Sequence, residues 1–139
     1  MKTRVLVMDG QGGQLGSQII RELLAKISDI QITAVGTNAV ATAAMLKAGA
    51  TNAATGENPV IVACRKADII VGPIGIVIAD SLMGEVTPAM AVAVGQSDAA
   101  RILIPVNKCE NMVAGVSNLS TTVLIQDAVS KISQFLSNR

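Results

Sequence analysis

Short apolar runs alternate with stretches of helical periodicity along almost the whole chain, and few folds accommodate that alternation. Residues 5–8 form a strand-type run stopped by Asp9 and Gly10. From Gly13 the period becomes helical: Leu15, Ile19, Ile20, Leu23, Leu24 and Ile27 lie on one stripe, opposite Gln14, Gln18, Arg21, Glu22 and Lys26. Residues 30–35 read as a second strand, stopped by Gly36. Asn38 is placed to cap a helix over 39–48, with Gly49 just past its end. Residues 50–54 suggest a short third strand. Asn58 followed by Pro59 predicts a helix opening there and ending near Arg65 and Lys66. Residues 68–71 read as a fourth strand, and Thr87 before Pro88 repeats the opening signal for a helix over 89–95. Residues 101–106 and 112–116 predict a fifth and a sixth strand, before a last helix over 120–136.

Such alternation specifies a parallel sheet with helices on both faces, a three-layer α/β sandwich. Right-handed crossovers favour a Rossmann-like strand order of 3-2-1-4-5. Only residues 107–111 separate the sixth strand from the fifth, whereas a parallel crossover needs about a dozen residues or more. The sixth strand is therefore expected to pair antiparallel at one edge. No linker, repeat or low-complexity stretch divides the chain, so residues 1–139 are expected to form a single nucleotide-binding domain.

Composition removes many functions. The chain is 50% hydrophobic and 15% charged, against roughly 25% charged in typical soluble proteins; it is not a disordered chain. Eleven Lys and Arg against ten Asp and Glu leave no basic field for nucleic acid. There is no His, Trp or Tyr, and Phe135 is the only aromatic residue. Without His there is no Ser-His-Asp or Cys-His catalysis and no imidazole metal site within one chain. Without Tyr there is no Tyr-Lys reductase chemistry. Cys64 and Cys109 are too few for a disulfide scaffold or a zinc cage. The longest uncharged apolar stretch, residues 69–79, is interrupted by Gly72, Pro73 and Gly75 and falls short of the roughly 20 residues a membrane span needs. No secretory hydrophobic segment follows the first residues, so a cytoplasmic protein is expected. The excess of Ala and Val suits a sheet buried on both faces and a self-association surface, hence a homo-oligomer.

The turn between the first strand and the first helix reads Asp9-Gly10-Gln11-Gly12-Gly13-Gln14-Leu15-Gly16. Glycines there permit a tight turn and close backbone approach to a phosphate, and the helix start beyond it offers unpaired N–H groups and a positive dipole end. Gly10, Gly13 and Gly16 give a G-x-x-G-x-x-G spacing. This loop resembles that of the extended short-chain dehydrogenases over the first 37 residues, and also the Gly-Gly-Gln turn in the gamma domain of 2-oxoacid:ferredoxin oxidoreductases. The resemblance implies a nucleotide, NAD or NADP, as cofactor. Two departures from an NAD site stand beside it. The end of the second strand reads Gly36-Thr37-Asn38, with neither the usual acid for the ribose nor an Arg for a 2′-phosphate; Thr37 and Asn38 are the remaining ribose contacts. Asp9 puts a carboxylate next to a loop meant for an anion. Glycines that serve only close helix–strand packing are the plainer alternative.

The loop after the fourth strand, with Gly72, Pro73 and Gly75, is expected across the topological switch point from the glycine loop, where ligands of open α/β sheets lie. Downstream, Asp80 and Glu85 are spaced to act as a carboxylate pair for a metal, although a solvated or capping role is commoner. After the fifth strand, Lys108 beside Cys109 is placed to lower the thiol pKa, and a buried or incidental thiol is the plainer reading. Together with the glycine loop and residues 72–75, the segments at 79–85 and 104–109 make the whole chain resemble an uncharacterised family of short bacterial Rossmann-like proteins, a domain of unknown function. Three functions remain open. The first is a nucleotide-binding sensor, carrier or subunit. The second is an oxidoreductase with Cys109, Lys108 or Asp80 at the rim and a site completed by oligomerisation. The third is an assembly protein whose loop binds nothing.

Overall fold

The computed structural model describes residues 2–106 and 110–139. Its sheet consists of β1 (Thr3–Asp9), β2 (Ile30–Gly36), β3 (Asn52–Thr55), β4 (Ile69–Pro73) and β5 (Ala100–Ile104), in the order β3-β2-β1-β4-β5. Every pairing is parallel; Val7 of β1, for instance, lies between Ala34 of β2 and Val71 of β4. The strand order matches the expectation from the sequence. Because parallel strands are covered on both faces, residues 5–8 of β1 are all apolar and alternate between two cores. Val5 and Val7 pack with Ile32, Ala34, Ile69 and Val71 against α1 (Gln14–Lys26), α2 (Ala39–Ala48) and α5 (Thr121–Ser137). Leu6 and Met8 pack with Val35 and Ile70 against α3 (Glu57–Lys66) and α4 (Pro88–Gln96). Each fully buried aliphatic side chain of this kind contributes about 1.5–3 kcal/mol.

Several helix ends follow the capping residues. The Asn38 side chain accepts a hydrogen bond from the Ala41 N–H, Thr87 from that of Met90 and Ser120 from that of Val123. Helix α3 departs from the expectation, starting at Glu57 with Gly56 as its cap, ahead of Asn58 and Pro59. Gly56 has φ +108° and ψ −173°, a conformation open essentially to glycine, which starts the turn early. Pro59 then sits in the first turn, where a missing N–H costs nothing.

The expected antiparallel sixth strand is not formed, and the sheet is parallel throughout. Residues 112–116 turn at Gly115, which has φ +82°, and leave Met112 95% exposed. An apolar run becomes a strand only where one of its faces is buried, and this one has no such face. No helix among the described residues is long and apolar enough to cross a membrane.

Candidate functional site

Strands β1 and β4 are neighbours, but the chain leaves them toward opposite faces, β1 into α1 and β4 through a 3₁₀ turn, Ile74–Val77, toward α4. Their carboxyl ends therefore meet at the topological switch point, where ligands of open α/β sheets lie. The glycine turn lies on this rim of the sheet. Gly13 N–H donates to the Gly10 carbonyl at 2.9 Å, and Gly13 is left-handed, with φ +72°. Asp9 is 6% exposed, beneath the turn. Its Oδ1 accepts from the Gly10 N–H and its Oδ2 from the Gly16 N–H, each at 2.8 Å. Burial pushes the Asp9 carboxyl above its ordinary range and the Glu85 charge adds to that, while the two amide bonds pull the other way. Asp9 thus clamps the turn to the start of α1, and its charge is shared with two amides.

A second carboxylate reaches the rim from a distant part of the chain. One oxygen of Glu85, Oε1, accepts from the Gln11 N–H at 2.9 Å, the Thr37 hydroxyl at 2.7 Å and Asn38 Nδ2 at 2.7 Å. Asn38 Nδ2 also donates to the Gln11 carbonyl at 3.0 Å, so the glycine turn and the end of β2 are tied together. Burial alone would push the Glu85 carboxyl up, but the three donors outweigh it and hold the group below its ordinary value. Thr37 and Glu85 close over Gly10, where a Cβ would lie 2.5 Å from Thr37 Oγ1 and 3.0 Å from Glu85 Oε1.

Backbone strain aims Glu85. Asp80, Leu82 and Met83 have φ of +66°, +56° and +56°, and Gly84 has +87°. Left-handed backbone costs roughly 1–2 kcal/mol for each non-glycine residue, so the turn must be held from within. Asp80 N–H donates to the Val86 carbonyl at 2.7 Å and Val86 N–H to the Ser81 carbonyl at 3.2 Å. The Ser81 hydroxyl donates to the Gly75 carbonyl, and Leu82 and Val86 are buried in the core.

Thr37, Asn38, Gln11 and Gly10 are thus brought together as a group. Among the described residues, the amide N–H groups of Gly12, Gln14 and Leu15 have no partner, and Gly12 is exposed. Gly72 and Pro73 belong to β4 and are buried, whereas Gly75 supports the strained turn. Asp80 is exposed and its backbone shapes the same turn. Lys108 and Cys109 lie outside the described residues. No group of three or more acids or cysteines among the described residues is placed to hold a metal ion.

The contacts least visible in the sequence are those of Glu85, which span 74, 48 and 47 positions. Two clefts lie away from the rim. One, of about 510 Å³, runs between α3 and the β1–β3 face and includes Gln31, Thr33, Asn52 and Lys66; the other, of about 620 Å³, lies between α3 and α4.

A crystal structure of a dodecameric FMN-dependent UbiX-like decarboxylase from Escherichia coli O157:H7 is similar at 17% identity and a TM-score of 0.43, over 96% of this chain and 76% of that one. No curated protein sequence matches the chain. The profile of a family described as a domain of unknown function, DUF3842, matches residues 4–137, and the chain belongs to that family.

Proposed function

We propose that the chain is a nucleotide-binding protein that holds a dinucleotide of the NAD or NADP type on the rim of its sheet, and acts as a sensor, carrier or subunit. The observation that carries this reading is the set of Gly12, Gln14 and Leu15 amides, unpartnered among the described residues at the start of a 13-residue helix beside the switch point. Such amides and the positive helix end suit a phosphate. The Asp9 carboxylate does not defeat it, because both of its oxygens are turned under the loop onto amides. Thr37 and Asn38 stand where the ribose of a dinucleotide would lie. Exposed Leu24, Val40 and Leu46 on α1 and α2 support self-association as the partner interaction.

Gly12 supplies the test. A Cβ there would meet nothing nearer than Gln14 Cγ at 4.0 Å, so a larger side chain fits the fold but fills the approach to the amides. In Gly12→Val, dinucleotide affinity measured by calorimetric titration should fall by about tenfold or more, the equivalent of about 1.4 kcal/mol, with the thermal melt unchanged. Equal affinity in the two proteins would remove the phosphate from this loop. The absence of Trp and Tyr makes a co-purifying adenine ring directly visible in the ultraviolet spectrum.

A further inference from the structure

We propose that Glu85 is the acceptor for the ribose hydroxyls of that ligand and makes the site selective for a free 2′-hydroxyl over a 2′-phosphate. The inference rests on the nucleotide reading above and assigns a role to a residue outside the glycine loop. In an open α/β sheet the acid that binds a ribose diol stands at the carboxyl end of the second strand. Here Gly36, Thr37 and Asn38 supply none. The structure brings one to that place from another element: Glu85 bonds to the Thr37 hydroxyl and the Asn38 amide, the two residues that follow β2.

The division of labour within the carboxylate supports the assignment. Oε1 takes all three donors and anchors the side chain, while Oε2 accepts nothing among the described residues. An anchored carboxylate with one free oxygen is an acceptor of fixed direction, able to take a hydroxyl proton. Its donors keep it ionised at neutral pH, so it has no proton to offer a phosphate and repels a doubly charged one. The strained residues 80, 82 and 83 hold this acid at the rim, and strain of this kind clusters where a side chain must be aimed.

The test is a set of titrations of the full-length chain with NAD, NADP and 2′-deoxy-NAD. The unsubstituted protein should bind NAD at least about tenfold more tightly than NADP, and should lose about tenfold on removal of the 2′-hydroxyl, as expected when an anchored carboxylate loses the hydroxyl it accepts from. Glu85→Gln should bring the NAD to NADP ratio near one, mainly by weakening NAD, whereas Gly12→Val should weaken both and leave the ratio alone. Should Glu85→Gln fail to fold, equal affinity of the unsubstituted chain for NAD and 2′-deoxy-NAD overturns the role of Glu85 by itself. Binding with a ratio insensitive to Glu85→Gln overturns the role of Glu85 and leaves the nucleotide reading standing. A rise in affinity for both ligands in Glu85→Gln, the mark of a side chain that merely plugs the rim, overturns it as well. Absence of binding for all three ligands overturns both readings.

Discussion

Gly13→Ala should destabilise the protein by about 2–5 kcal/mol, and two separate terms give that figure. Gly13 has φ +72°, where a residue with a Cβ costs roughly 1–2 kcal/mol more than glycine. A Cβ at this position would also lie 2.7 Å from both Cα and the carbonyl oxygen of Ala41, in the backbone of α2. Backbone cannot swing aside as a flexible side chain can, so α1 and α2 must separate, an overpacking cost of about 1–3 kcal/mol. Against the 5–15 kcal/mol typical of a domain, this is a large share. Gly12→Ala is the internal control: one position earlier, a Cβ meets nothing nearer than Gln14 Cγ at 4.0 Å, and the change should be neutral or stabilising by up to about 1 kcal/mol. Urea unfolding followed by far-ultraviolet circular dichroism measures both, since the chain has no Trp for fluorescence. A Gly13→Ala protein within about 1 kcal/mol of the original, or the same loss in both variants, would refute the account of the turn.

Three further outcomes follow from the geometry. Burial pushes the Cys64 thiol up to about 11, and Cys64 is 4% exposed; in a Cys109→Ser protein the remaining thiol should therefore resist alkylation at pH 8 until denaturant is added, and rapid labelling of the folded protein would contradict its burial. The Arg4 backbone N–H and guanidinium hold the Asp68 carboxyl below its ordinary value. A depressed carboxyl contributes stability above its unfolded pKa and loses it as pH falls, so Asp68→Asn should flatten the acid limb of the stability profile below about pH 4. The change should be under about 1 kcal/mol, as for an exposed pair, and an unaltered acid limb would dismiss it. Val40 and Leu46 are 68% and 52% exposed on α2. Replacing both with Glu should lower the mass measured by sedimentation equilibrium, whereas a monomer before substitution would exclude self-association through this face.

Local signals carried most of the architecture. The switch from a strand run to a helical stripe at Gly13, and the polar caps Asn38 and Thr87, are written within a few residues of the elements they define, and the structure follows them. Where the deciding interaction is remote, the sequence was less informative. Residues 112–116 have strand-like composition, but composition does not state whether a sheet edge will bury one face, and Gly115 was the one local hint of a turn. The early start of α3 depended on a backbone conformation at Gly56 rather than on the Asn58-Pro59 pair. The rim was half legible. Thr37 and Asn38 were marked by their position after β2, whereas the contact of Glu85 with them depends on left-handed torsions at non-glycine residues, which residue type disfavours rather than announces.

The bond from the Gln11 N–H to Glu85 has a consequence for observing the rim. Most amides of a parallel sheet are protected by their ladders and exchange with solvent only when those ladders open. Gln11 is exposed, and the partner of its amide is a single side-chain oxygen 74 positions away. Its hydrogen-exchange rate consequently reports one contact, the seating of Glu85, and does so on a chain that stays folded. Exchange at Val7, inside the central strand, reports the sheet. The pair of amides separates a change at the rim from a change in the fold without a probe being added to either.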